Sequence, residues 1–94
     1  MSYARLVYRV HAVQRMAQRG VSENEVRLIM ANGEVIEDYP TDSPYPSQLL
    51  LGWSAGRPLH VVAAQNDVDQ ETNIITVYEP DPARWTADFR RRLP

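Results

Sequence analysis

The residues HAVQRMAQRG, His11 to Gly20, set one imidazole and two guanidiniums, His11, Arg15 and Arg19, at successive intervals of four. Side chains four apart share a helix face, so this spacing predicts a cationic row along the outside of a helix. A second imidazole, His60, interrupts the apolar run PLHVVAAQ, where a polar ring needs a hydrogen-bond partner. Alternate residues of a strand share a face, and a connection centred near Val68 and Asp69 places His60 opposite Tyr78 of NIITVYE, with Thr76 beside them. A slip of one residue would scatter the three. Imidazole, phenol and guanidinium together supply a base, an acid and a stabiliser of developing charge, the set that drives a ribose 2′-hydroxyl onto its neighbouring phosphate without a metal. On that reading His60 is general base or acid and Tyr78 its partner or a donor to the phosphate, while His11 and Arg15 stabilise the transition state. Arg19, Arg57 and Thr76 complete the set as substrate contacts. The competing reading of the same residues is a solvated helix face and a structural histidine, in a non-catalytic module that recognises a protein partner or an anion through its arginines.

Composition bounds the alternatives. Ninety-four residues with 44% hydrophobic content suit a single α+β domain over residues 1–94, with one modest core. The chain has no cysteine, which removes disulfides, thiol nucleophiles and thiolate metal sites. Two histidines 49 positions apart, His11 and His60, make no metal-ligand spacing, and neither a glycine-rich phosphate loop nor a Gly-x-Ser-x-Gly elbow occurs, so no metal and no cofactor is expected. No apolar run is long enough for a membrane span or a secretory core segment, and a cytoplasmic protein is expected. All ten basic residues are arginine against twelve acids, for a net charge of −2. They are unevenly placed: five Arg against two Glu up to Gly33, one Arg against eight acids from Glu34 to Pro80, and four Arg against two Asp thereafter. Any basic face is therefore local, in contrast to the broad positive field usual in nucleic-acid binders.

The elements that must position these groups are punctuated in the sequence. Ala12, Val13, Met16 and Ala17 form the apolar stripe of the first helix, and Gly20 fits its left-handed cap with Val21 as the following hydrophobic contact. SENE sets Ser22 three before Glu25, a capping box for a second helix that carries Val26, Ile29 and Met30 and stops at Asn32-Gly33. That helix opens with acids, which disfavours a helix-turn-helix reader of base edges. Four extended segments follow, EVIEDY, SQLLLGW, PLHVVAAQ and NIITVYE, read as a four-stranded antiparallel meander. A two-residue Ala55-Gly56 turn would set Leu51 opposite His60 and Trp53 near Pro58. Ile75 and Val77 are expected to face the helices. After Pro80, Asp81 as N-cap and Pro82 at the first position predict a short C-terminal helix that docks Trp85 and Phe89, ahead of a solubilising RRRLP tail.

Taken together, HAVQRMAQRGVSENEV, GEVIEDYP, LLLG, GRPLHVV and IITVYEPDPARW, in that order, resemble a bacterial family known as the domain of unknown function numbered forty-two fifty-eight. The resemblance runs from about His11 to Trp85. It implies membership of the barnase, EndoU, colicin and RelE-like ribonuclease superfamily, and with it an α+β fold and a metal-independent endoribonuclease of toxin type. RNA and an antitoxin or other protein are the implied partners. His11, Arg15, His60, Thr76 and Tyr78 are the positions that match the family's polar pattern.

Overall fold

The computed structural model of the chain describes residues 5–94. Its elements run β1 (Leu6–Tyr8), α1 (Val10–Arg19), α2 (Glu23–Asn32), β2 (Glu34–Tyr39), β3 (Ser47–Ser54), β4 (Arg57–Asn66) and β5 (Glu71–Tyr78). The strands form one five-stranded mixed sheet in the order β1-β5-β4-β3-β2, with β1 parallel to β5 and the other pairs antiparallel. This corrects the expected four-stranded antiparallel meander with a C-terminal helix: the sheet gains a parallel edge strand, and no helix follows β5. Three residues are too few for a period-two signal, and the partner of β1 lies 66 positions along the chain, at the Leu6–Thr72 pair.

The two helices cover one face of the sheet. Gly20 takes the left-handed conformation at the end of α1, and the backbone N–H of Val21 donates to the Met16 carbonyl. Ser22 and Glu25 close a reciprocal capping box at the start of α2. Ala12, Met16, Val26, Ile29 and Met30 pack on Leu50, Leu59, Val61, Ala63, Ile74 and Val77 to make the core. The stripe of α1 is narrower than its sequence suggests, because Val13 and Ala17 stay exposed. Ile29 approaches β3 so closely that a Cβ at Gly52 would lie 2.4 Å from its side chain, so this strand glycine makes room for the helix.

Register on the opposite face comes from two local features. Ala55 and Gly56, both at positive φ, form the two-residue turn of the β3–β4 hairpin and set Leu51 opposite His60 and Trp53 opposite Pro58. Between β4 and β5 the connection starts from the Asn66–Glu71 pair, and an unbroken ladder from there would bring Val77, not Tyr78, opposite His60. A bulge shifts the register between Val62 and Ala63, leaving Ile75 as the additional residue on β5, so that His60 does pair with Tyr78. The same bulge turns Ile74 rather than Ile75 into the core, where Ile74 is fully buried, and this corrects the expected facing of those two residues.

Residues 79–94 form a strap across that second face. Asp81 begins the expected turn: its carboxylate accepts from the Ala83 N–H and its carbonyl from Arg84 and Trp85. The helix then fails to propagate, because Thr86 and Asp88 satisfy nearby backbone groups with their own side chains, accepting from Arg91 and Arg90 respectively. The chain folds back, and Trp85 bridges to Arg92. The strap is fastened to β2 by ion pairs Arg90–Glu34 at 2.7 Å and Arg92–Glu37 at 3.0 Å. Trp85 and Phe89 do dock on the body, against His60 and Trp53 respectively, but from a folded-back loop. Arg90 and Arg92 are thus clasps and not a loose solubilising tail.

Candidate functional site

The helix α1 lies beside β5, whose pairing with β1 ends at Ile74. Beyond that point the edge of β5 opens into a cleft of about 720 Å³ lined by His11, Arg15 and Arg19 from α1, Thr76 and Tyr78 from β5, and Glu79, Asp81, Arg84, Trp85 and Arg92 from the strap. The row anticipated from the four-residue spacing therefore faces Thr76 and Tyr78. Among the described residues, no carboxylate pairs with His11, Arg15 or Arg19, whereas Arg92 is held bidentately by Glu37 and Arg84 lies 4.0 Å from Asp81. The uncommitted positive charge of the cleft belongs to α1. A second cavity, of about 340 Å³ between α2 and the strap, differs in kind: its charged residues, Glu34 and Arg90, neutralise one another, and the rest of its wall includes Leu28, Ile29 and Trp53.

His60 sits directly behind this cleft and not in it. The ring is fully buried, edge-on to Tyr78 and to Trp85 with centroids 5.2 and 4.4 Å away. Both nitrogens are occupied: Nε2 lies 3.0 Å from the Phe89 carbonyl and Nδ1 3.2 Å from the Tyr78 hydroxyl. Burial pushes the imidazole below its ordinary pKa, against the Phe89 hydrogen bond and the Glu37 charge, which act in the other direction. The pairing of His60 with Tyr78 read from the strands is present, but no face of the imidazole is left for a substrate. A general acid or base must come within hydrogen-bond reach of the proton it moves, and the ring as placed reaches only the Tyr78 hydroxyl and the Phe89 carbonyl. Tyr78 is half-buried, its phenol pushed above the ordinary range chiefly by burial.

Arg57 does not line the cleft but borders it, with Nε 3.9 Å from Glu79. Its guanidinium donates to the carbonyls of Arg19 and Gly20 at 2.8 and 3.2 Å and to Glu25 at 3.1 Å, so it fastens the end of α1 to the β3–β4 hairpin. Glu25 also accepts from Ser54 and from the Ser22 backbone, and these bonds with Arg57 hold its carboxyl at a pKa of about 2. The residues that sequence reasoning missed are Trp85, Arg84 and Arg92, brought to the cleft by a strap that folds back over His60 and pairs with β2. Among the described residues no three His, Asp or Glu side chains gather as a metal-ligand set, and no helix is long and apolar enough to cross a membrane.

No curated protein and no solved structure matches this chain. A family model described as a domain of unknown function, DUF4258, matches residues 8–79, which hold α1, α2, the four antiparallel strands and every cleft residue contributed by α1 and β5. The chain therefore belongs to the DUF4258 family.

Proposed function

We propose that the α1–β5 cleft binds the phosphodiester backbone of RNA and cleaves it without a metal, by attack of a ribose 2′-hydroxyl on the adjacent phosphate. The observation that carries this reading is the convergence of His11, Arg15 and Arg19, none of them paired to a carboxylate among the described residues, with Thr76 and Tyr78 on one open cleft. Arg15 and Arg19 take the phosphate, for which a planar, permanently charged guanidinium is suited, and stabilise the charge that develops on it. As the O2′–P bond forms and the P–O5′ bond breaks, His11, exposed at the cleft, protonates the departing 5′-oxygen, and the proton of the attacking 2′-hydroxyl passes to water in the open cleft. The products are a 2′,3′-cyclic phosphate and a 5′-hydroxyl. The resemblance to RelE-like ribonucleases supports the reading by analogy of fold and motif, and extends it to a toxin acting in the cytoplasm under the control of an antitoxin.

A second reading, a non-catalytic module that captures an anionic partner through the same arginines, draws its support from the sealing of His60. Incubating the protein with mixed-sequence RNA in EDTA separates the two. Cleavage to cyclic phosphate ends, abolished by His11→Ala and by Arg15→Ala, is the result expected of the ribonuclease. Intact RNA that still binds, with binding weakened by Arg15→Ala, would establish the binding module instead. Cleavage equal in the wild type and both variants would mark a contaminant and overturn the catalytic assignment.

A further inference from the structure

The buried pair behind the cleft has a fixed hydrogen-bond direction. A carbonyl oxygen only accepts, so the 3.0 Å contact between His60 Nε2 and the Phe89 carbonyl places the ring proton on Nε2. A neutral imidazole carries one proton, which leaves Nδ1 as an acceptor, and the Tyr78 hydroxyl must donate to it across 3.2 Å. Phe89 reaches this position in a left-handed backbone conformation, φ 60°, that a bulky residue rarely adopts, while Trp85 closes over the imidazole. Tyr78 thereby spends its only proton inward. Tyr78 lines the cleft, and with its proton given to His60 its oxygen has lone pairs alone to offer there.

From this geometry we infer that His60 is a positioning residue that turns Tyr78 into a hydrogen-bond acceptor facing the cleft, and that Tyr78 there selects a ribose 2′-hydroxyl. A phosphate oxygen is also an acceptor and gains nothing from such a group, so phosphate is directed to Arg15 and Arg19 across the cleft. Along a nucleic-acid backbone, the 2′-hydroxyl is the group that can donate, and it is what separates RNA from DNA at a given site. The inference rests on the nucleic-acid reading above and adds to it the atom that discriminates the sugar. It also gives the occluded histidine a role that differs from simple packing, because an apolar side chain of similar size would leave the phenol proton free to point either way.

Three mononucleotides test it on the intact protein: adenosine 3′-phosphate, its 2′-deoxy analogue and its 2′-fluoro analogue, each titrated by NMR. None can be cleaved, and the fluoro sugar keeps an electronegative 2′ substituent while lacking the proton. The ribonucleotide is expected to bind roughly three- to tenfold more tightly than both analogues, the size of one hydrogen bond. Tyr78→Phe should bring it down to their level while leaving the affinity for the deoxy form unchanged. Equal binding of all three by the wild type, or a fluoro analogue as tight as the ribonucleotide, would overturn the inference and leave the phosphate site standing. Failure of all three to bind would remove both.

Discussion

Two arginine-rich regions border the same cleft and behave oppositely. The outer row of α1 holds Arg15 and Arg19 with no ion-pair partner among the described residues, whereas the strap sets Arg90 on Glu34 and Arg92 on Glu37, 56 and 55 positions away. The row belongs to a helix whose buried side is Ala12 and Met16, so its position is fixed by apolar contact and its charges are spare. The strap docks through Trp85 and Phe89, and its charges are consumed in exposed pairs with β2. Arginine count alone would rate the second region above the first as an anion site. Partners reverse that order, and the contrast can be tested from both sides.

The largest effect is expected where the strap meets the sheet. Replacing His60 by Ala deletes a fully buried ring, leaves the Phe89 carbonyl without its donor and opens a cavity under Trp85, at a cost of about 3 kcal/mol. Chemical denaturation should show the midpoint falling with little change in slope. The same variant should alter the pH dependence of stability. Because burial depresses the folded pKa of His60 below its unfolded value near 6.5, stability is fully present above that value and is lost as pH falls through the folded pKa, where the unfolded chain takes up a proton that the folded one refuses. In His60→Ala this decline below about pH 6.5 should disappear. A decline of unchanged size would assign it to other groups.

Next in size is the arginine comparison itself. With single-stranded RNA as the probe, Arg15→Ala should weaken binding about tenfold and reduce the dependence of log affinity on log salt by about one. Arg90→Ala should change neither. Equal losses from the two would mean that the whole arginine surface, and not the row on α1, attracts the ligand. Glu25 offers an internal control, since it pairs with Arg57 at the end of α1 and does not line the cleft: its carboxyl, kept at a pKa of about 2, contributes stability present above about pH 4.5 and lost as pH falls toward 2. Glu25→Gln should flatten the acid limb of the stability profile over that interval without affecting RNA affinity at neutral pH.

Legibility in the sequence followed the range of the interaction. The caps of α1 and α2, the Ala55-Gly56 turn and the face shared by His60 and Tyr78 depend on residues within a few positions of one another or on strand alternation, and they could be read. The α1 row could be read for the same reason. Strand β1 could not, because its ladder partners, Thr72 to Ile74, lie 66 positions further along the chain. The strap resisted for two reasons that act together. Asp81 and Pro82 are a genuine helix start, yet Thr86 and Asp88 offer the backbone a local alternative four to six residues later. The ion pairs that choose between them lie across the sheet. His60 showed the subtler failure: its face was predictable and its accessibility was not, since burial came from Trp85 and Phe89 on an element whose path the sequence concealed.

The smallest effect should come from the clasp at Arg92. Its guanidinium contacts Glu37 through two hydrogen bonds and lies 4.8 Å from the centre of the Trp85 ring, but its side chain is 60% exposed, so salt and water screen both interactions. Exposed ion pairs contribute between nothing and about 1 kcal/mol, and an exposed cation over an aromatic ring adds a comparable amount. Arg92→Ala should therefore lower stability by about 1 kcal/mol at low salt and by less in 0.5 M sodium chloride, where the Debye length shrinks to about 4 Å. If the clasp matters mainly by keeping Trp85 over His60, its loss should speed hydrogen exchange at the strap amides of Thr86 and Leu93 far more than in β4. Uniform acceleration across the sheet would instead tie the strap to the global fold, and the two arginine regions would then differ in partner but not in the reach of their effect.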